Sequence, residues 1–110
     1  MKKYKEVMIW IDESKEVNVT PDPITISAKE GEQVSWECFQ GDFEIQFNET
    51  DTPFMGSFYR GGQGGSIGSG PTQAKKVREK GYKYTVAVSV TLPNGETRRR
   101  YKDPTVVVEE

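Results

Sequence analysis

The 110-residue chain contains no histidine and only one cysteine, Cys38. Without imidazole it lacks the usual base that would activate Cys38 as a nucleophile, and it lacks the nitrogen ligands of a blue-copper site. A lone cysteine cannot form a disulfide within the chain and is typical of a reducing compartment. These absences argue against nucleophilic catalysis and against an imidazole-based metal centre.

Long hydrophobic runs are also missing. The apolar stretch at residues 7–11 is too short for the core of a signal peptide, and Asp12 and Glu13 follow it directly. We therefore expect a cytoplasmic protein without a membrane segment. The chain is long enough for a single domain over residues 1–110, and its 34% apolar and 29% charged residues are typical of a soluble one.

What the sequence has in abundance is apolar–polar alternation, the signature of half-buried strands. Strands are predicted at 6–11, 16–20, 24–27, 34–38, 43–47, 82–92, 97–101 and 105–109. The alternation predicts burial of Val34, Trp36, Cys38, Phe43, Ile45, Phe47, Tyr82, Tyr84, Val86, Val88, Val90 and Leu92. The Asn94-Gly95 pair predicts a tight hairpin turn, and the prolines at 21 and 23 predict a sheet edge or a crossing between sheets. The fold class is therefore all-β, a two-sheet antiparallel sandwich.

Six of the eleven glycines fall between Tyr59 and Pro71. No Gly-Lys-Ser/Thr follows them, as a phosphate-binding loop would require, so the stretch is interpreted as a flexible Gly-rich loop at about 56–70 within a longer loop at 49–70. A loop that becomes ordered on a partner is the alternative, with Tyr59 and Arg60 as its contacts. A helical turn is the only helix the sequence allows, at residues 71–81.

Two segments resemble a known family. The order VNVTPDPITISAKEGEQVSWEC is similar to the opening of the cupredoxins, and GYKYTVAV resembles the strand that carries their copper-binding cysteine; the resemblance covers residues 6–50 and 81–109. It implies a Greek-key sandwich of cupredoxin-like topology. An immunoglobulin-like sandwich is the alternative, because a glycine turn followed by Val-x-Trp occurs there too.

The resemblance also implies where copper ligands would stand. Glu44 or a neighbour takes the place of the first histidine, Val86 takes the place of the cysteine, and Cys38 belongs to another strand. The chain therefore resembles the metal-free bacterial members of the family, and no cofactor is expected. Cys38, beside Trp36, is interpreted as a packing residue.

Charge is distributed unevenly although the net charge is only −2: residues 1–74 carry 6 basic and 12 acidic side chains, and residues 75–110 carry 9 and 5. The candidate partner-binding residues are Tyr59, Arg60, Arg98, Arg99, Arg100 and Tyr101. Alternation sends Arg98 and Arg100 to one face of their strand and Arg99 to the other. Protection of an edge strand from aggregation is the explanation of these charges that we favour over binding.

The sequence thus predicts a non-catalytic binding module for an unknown protein or small ligand, a monomer or weak dimer. One alternative is binding of nucleic acid or an acidic partner through the basic C-terminal hairpin, with Lys75 and Lys76 assisting. Nucleic acid is disfavoured by the negative net charge. The other alternative is a carboxylate-dependent enzyme using Glu37, Asp42 or Glu44.

Overall fold

The computed structural model describes residues 4–73 and 76–110, and all regular structure within them is β-strand. The strands are β1 (Tyr4–Ile11), β2 (Val17–Thr20), β3 (Ile24–Ser27), β4 (Gln33–Cys38), β5 (Phe43–Phe47), β6 (Phe58–Gly61), β7 (Ser66–Gly68), β8 (Arg78–Thr91), β9 (Thr97–Lys102) and β10 (Thr105–Glu109). The two-sheet, all-β prediction is confirmed. No helix able to cross a membrane occurs in those two ranges.

The strands form two sheets packed face to face. The four-stranded sheet has the order β2-β1-β4-β7, and the six-stranded sheet has the order β3-β10-β8-β5-β6, with β9 also paired to β8. The prediction of purely antiparallel sheets was wrong, because β1 pairs with β4 and β3 pairs with β10 in parallel. Parallel pairing requires a connection that crosses over, which alternation within single strands cannot reveal.

The proline segment marks the crossing between the sheets, as predicted. β2 belongs to the four-stranded sheet and β3 to the six-stranded one, and Pro21 and Pro23 lie in the short connection between them. Proline has no amide hydrogen to donate to a strand ladder, so the chain leaves one sheet here before joining the other.

The core lies between the sheets around Trp36. Every residue predicted to be buried is at most 6% exposed, except Leu92, which packs against the core while partly exposed. The Trp36 ring contacts four other aromatic rings, those of Phe47, Phe54, Tyr59 and Tyr84, at centroid distances of 5.5–6.3 Å. Its indole N–H donates to the Tyr84 hydroxyl oxygen at 3.2 Å. Cys38 is fully buried, as its interpretation as a packing residue requires.

The Gly-rich stretch contains two strands, so the prediction of an uninterrupted loop at 49–70 was wrong. β6 pairs with β5 and β7 pairs with β4. The glycines obscured the alternation, yet Gly61 is required by packing, since a Cβ there would lie 2.2 Å from the Phe43 ring. Gly64, at φ +77°, supports the turn between the two strands, and its N–H donates to the Cys38 carbonyl.

The helical turn predicted at 71–81 does not appear in its described part. Arg78 to Gly81 are the first residues of β8, and residues 71–73, 76 and 77 are irregular. Ala74 and Lys75 lie outside the described residues.

Strand β8 is long enough to pair with two strands on one side, since β10 pairs along its first half and β9 along its second half. β5 pairs with its other side, opposite β9.

Candidate binding surface on the six-stranded sheet

The strand register brings residues from four strands together on the outer face of the six-stranded sheet. Arg60 of β6 lies opposite Glu44 of β5, which lies opposite Ala87 of β8, and Tyr101 of β9 follows in the same row. Arg99 stands one row away, opposite Ser89. Directly opposed residues in a sheet point to the same face, so these distant parts of the sequence share one surface.

Glu44 links the two arginines of this surface. Arg60 donates from Nη2 to Glu44 Oε2 at 2.9 Å, and Arg99 donates from Nη2 to Glu44 Oε1. The hydrogen bond from Arg99 above all, with that from Arg60, holds the pKa of the Glu44 carboxyl below its usual value. The carboxylate is therefore ionised at neutral pH and shared between two guanidinium groups, beside a shallow cavity of about 210 Å³.

Exposed aromatic rings flank the arginines. Phe58 is 47% exposed and Tyr101 is 60% exposed. The Arg60 guanidinium lies 5.7 Å from the Phe58 ring centre, and the Arg99 guanidinium lies 6.0 Å from that of Tyr101, both within the range of cation–π attraction. We call the surface formed by Phe58, Arg60, Glu44, Arg99 and Tyr101 the arginine face.

The other side of β9 carries a second set of cations, as the predicted alternation requires. The three basic residues of this set lie opposite buried valines of β8, so their side chains point to the inner side of the sheet. The opposed pairs are Arg98–Val90, Arg100–Val88 and Lys102–Val86. Arg98 pairs with Glu96 at 3.0 Å. Within residues 4–73 and 76–110, Arg100 and Lys102 have no ion pair. We call Arg98, Arg100 and Lys102 the cationic row.

Tyr59, a candidate surface contact, is partly buried and packs against the core, on the other side of β6 from the arginine face. Its ring centre is 5.5 Å from that of Trp36, and its hydroxyl lies within hydrogen-bonding distance of the Gly56 and Ser69 carbonyl oxygens, at 3.0 and 2.9 Å. Burial raises the pKa of Tyr59 to about 12. Alternation in β6 thus separates the two neighbours, with Tyr59 inside and Arg60 outside.

Of the three carboxylates considered for catalysis, Asp42 and Glu44 line the same cavity, and Glu37 lies apart from them. Glu37 lies on the outer face of the four-stranded sheet, whereas Glu44 belongs to the six-stranded sheet. Asp42 accepts a hydrogen bond from the Gln63 N–H at 2.9 Å through Oδ1 and so stabilises the turn after β6.

The two lysines considered for nucleic-acid binding do not join the basic hairpin. Lys76 precedes β8, away from the segment that pairs with β9, and Lys75 lies outside the described residues.

The residues that the family resemblance aligns with copper ligands do not fit a copper site. Val86 is fully buried and pairs with Ile45, so the Glu44 side chain points to the opposite side of the sheet. Neither valine nor an arginine-paired carboxylate supplies the thiolate and imidazole donors that such a site uses. In the part of the chain that the structure describes, no three acidic, cysteine or histidine side chains gather into a metal-binding group.

Sequence reasoning missed Phe58 and the role of Glu44. Alternation within Phe58-Tyr59-Arg60 could have paired Phe58 with Arg60, but the adjoining glycines concealed this strand. Linking Arg60, Glu44 and Arg99 requires the register of four strands, which separate segments of sequence do not specify.

The fold and the surface together define a β-sandwich with an arginine-rich sheet face and a basic edge strand. The chain matched no protein-family model, no curated protein and no solved structure.

Proposed function

We propose that the protein is a non-catalytic binding module on a cupredoxin-like scaffold without copper, and that its arginine face binds a carboxylate-bearing ligand. The convergence of Arg60 and Arg99 on the single carboxylate of Glu44 carries the proposal. Two guanidinium groups share the carboxylate of Glu44, so they keep N–H donors for a further anion, while Asp42 at the rim of the same cavity balances the remaining charge. Guanidinium forks are suited to carboxylates, which they bind through charge-assisted hydrogen bonds.

The aromatic rings support a binding role. Phe58 and Tyr101 expose large apolar surfaces beside the arginines, and arginine and aromatic side chains are enriched where proteins bind partners. Exposed aromatic rings lower solubility, so solubility alone does not explain Phe58 and Tyr101 at these positions. The rings would cover the ligand and exclude water from the charged contacts.

The state of Glu44 supports a non-catalytic role. Its lowered pKa keeps the carboxyl ionised at neutral pH, so it has no proton to give as a general acid, and a carboxylate with a lowered pKa is a weak general base. Its two oxygens are already occupied by Arg99 and Arg60, so the group positions the arginines. The protein is proposed to act in the cytoplasm as a monomer or weak dimer.

Tetraglutamate provides a direct probe of the arginine face. Titrated into ¹⁵N-labelled protein, it should shift the amide signals of Arg60, Arg99 and Tyr101 in a saturable way, and more weakly at higher salt. The variant Arg99→Ala should bind the peptide at least about tenfold more weakly, because it loses a charged hydrogen-bond donor worth about 1.5–3 kcal/mol.

Arg78→Ala is the matched control. Arg78 is also a partly exposed arginine that pairs with one carboxylate, Asp51 at 2.7 Å, but it precedes the segment of β8 that borders the arginine face. This variant should bind tetraglutamate as the unmodified protein does. Equal loss in both variants, or no shifts on the arginine face, would contradict the proposal.

A further inference from the structure

Strand β9 has one open edge. Within the described chain it pairs only with β8, although β8 itself is bonded on both sides. All six residues of β9 are exposed or partly exposed, so none belongs to the buried core. An open strand edge presents unpaired N–H and C=O groups to which another extended segment can add.

The hydrogen-bond pattern shows which backbone groups face that edge. The Leu92 N–H bonds to the Glu96 carbonyl at 2.8 Å, and the Tyr84 N–H bonds to the Pro104 carbonyl at 3.1 Å. Bonded pairs alternate along an antiparallel ladder, so Arg98, Arg100 and Lys102 direct their N–H and C=O groups toward β8. Thr97, Arg99 and Tyr101 therefore direct theirs outward.

The outward bonds of β8 confirm this alternation. The Ser89 N–H donates to the Asp42 carbonyl at 3.0 Å, toward β5 and away from β9. Ser89 lies opposite Arg99, so neither of these two residues uses its backbone groups for the bonds between β8 and β9. The free edge of β9 thus offers three N–H and three C=O groups in a row.

The charges along this edge select the occupant. Four of the six β9 residues are cationic, and three of them form the cationic row. β2, which lies beside β9 in the facing sheet, has the sequence Val-Asn-Val-Thr and no charge to neutralise them, and among the described residues Arg98 alone of the row has an ion pair, with Glu96. A second copy of β9 would place like charges beside one another, which disfavours self-pairing.

We infer that β9 binds an extended acidic peptide, which adds to its open edge as a further strand and places alternate carboxylates beside Arg98, Arg100 and Lys102. Side chains on one side of a strand recur every second residue, about 6.8 Å apart. The matching peptide therefore carries acidic residues at positions i, i+2 and i+4. The inference is separate from the proposed function, because it uses the backbone edge and the opposite side of β9 from the arginine face.

Two heptapeptides of equal composition test the spacing. One is Thr-Glu-Thr-Glu-Thr-Glu-Thr and the other is Thr-Thr-Glu-Glu-Glu-Thr-Thr, both with blocked ends. Only the first places all three carboxylates on one side of a strand. It should bind at least about threefold more tightly when each is titrated into the labelled protein.

Hydrogen exchange of the β9 amides tests the mode of binding. At saturating alternating peptide, the amides of Thr97, Arg99 and Tyr101 should exchange at least about tenfold more slowly. Those of Arg98, Arg100 and Lys102 serve as internal controls, since they already bond to β8 and should change much less.

Three outcomes would overturn the inference. If the alternating peptide binds without protecting Thr97, Arg99 and Tyr101, it contacts side chains alone. If both heptapeptides bind equally, the spacing argument is wrong. If neither binds but a twelve-nucleotide oligothymidylate does, the cationic row serves a phosphate backbone. The arginine face is judged separately, from the Arg60 amide on β6, which is not at this edge, and from the loss of tetraglutamate binding in Arg99→Ala.

Discussion

The two strands of the C-terminal hairpin, β8 and β9, are opposed residue by residue yet differ in almost everything else. β8 places five of its residues in the core, Tyr82, Tyr84, Val86, Val88 and Val90. β9 places none there, and four of its six residues are cationic. One strand stabilises the sandwich and its neighbour presents a charged surface. Adjacency in a sheet thus does not imply a shared role.

The largest expected effect comes from replacing a tyrosine in each strand. Tyr84→Ala should reduce the free energy of unfolding by about 3–5 kcal/mol, as for other buried aromatic residues, because the ring stacks on Phe47 and is 2% exposed. Tyr101→Ala, in the neighbouring strand, should change it by less than about 0.5 kcal/mol. Urea unfolding of both variants measures the difference, and similar losses would remove the distinction between the strands.

A smaller effect is expected from the Tyr84 hydroxyl alone. Tyr84→Phe leaves the buried Trp36 indole N–H without its acceptor, at a cost of about 1–3 kcal/mol. Tyr101→Phe is the control and should leave the unfolding midpoint unchanged. A neutral Tyr84→Phe would show that the hydrogen bond contributes nothing to the core.

The smallest effect concerns the ion pair that joins β9 to β5. Glu44 has a pKa lowered chiefly by Arg99, so it stabilises the folded state above the pKa of the unfolded chain. That contribution is lost as pH falls through the lowered folded pKa. Glu44→Gln should therefore cost about 0.2–1 kcal/mol at pH 7 and less near pH 2.

Carboxyl NMR measures directly how much Arg99 lowers the pKa of Glu44. In Arg99→Ala, the pKa of Glu44 should rise toward its ordinary value, since the largest cause of its lowering has been removed. Arg98→Ala is the control, because Arg98 pairs with Glu96 instead. If Arg99→Ala leaves the Glu44 pKa unchanged, β9 is held to the sheet by its ladder with β8 alone.

The sequence predicted the core and the main strands because burial follows a local period of two. Trp36, Ile45 and Val88 were placed correctly by alternation alone. It also separated Arg99 from Arg98 and Arg100 for the same reason. The Asn94-Gly95 turn and its hairpin were likewise predictable, since the turn chemistry is contained in two residues.

Features that depend on contacts distant in the sequence were not predictable. The parallel pairing of β1 with β4 and the strand at Phe58–Gly61 depend on partners elsewhere in the chain. Tyr59 was predicted to be a surface contact because a glycine-rich stretch begins two residues after it, whereas the first of those glycines, Gly61, is needed so that Phe43 can pack against it. The glycine-rich composition suggested a flexible loop, whereas close packing against Phe43 is the reason for the glycine at position 61.

The measurement that tests the account most directly is the affinity of the alternating heptapeptide for the triple variant Arg98→Thr, Arg100→Thr, Lys102→Thr. These changes remove the cationic row and keep residues suited to a strand. If β9 is a binding strand outside the core, affinity should fall at least tenfold while the urea midpoint stays nearly constant. Unchanged affinity, or unfolding of the variant, would contradict the division of roles between β8 and β9.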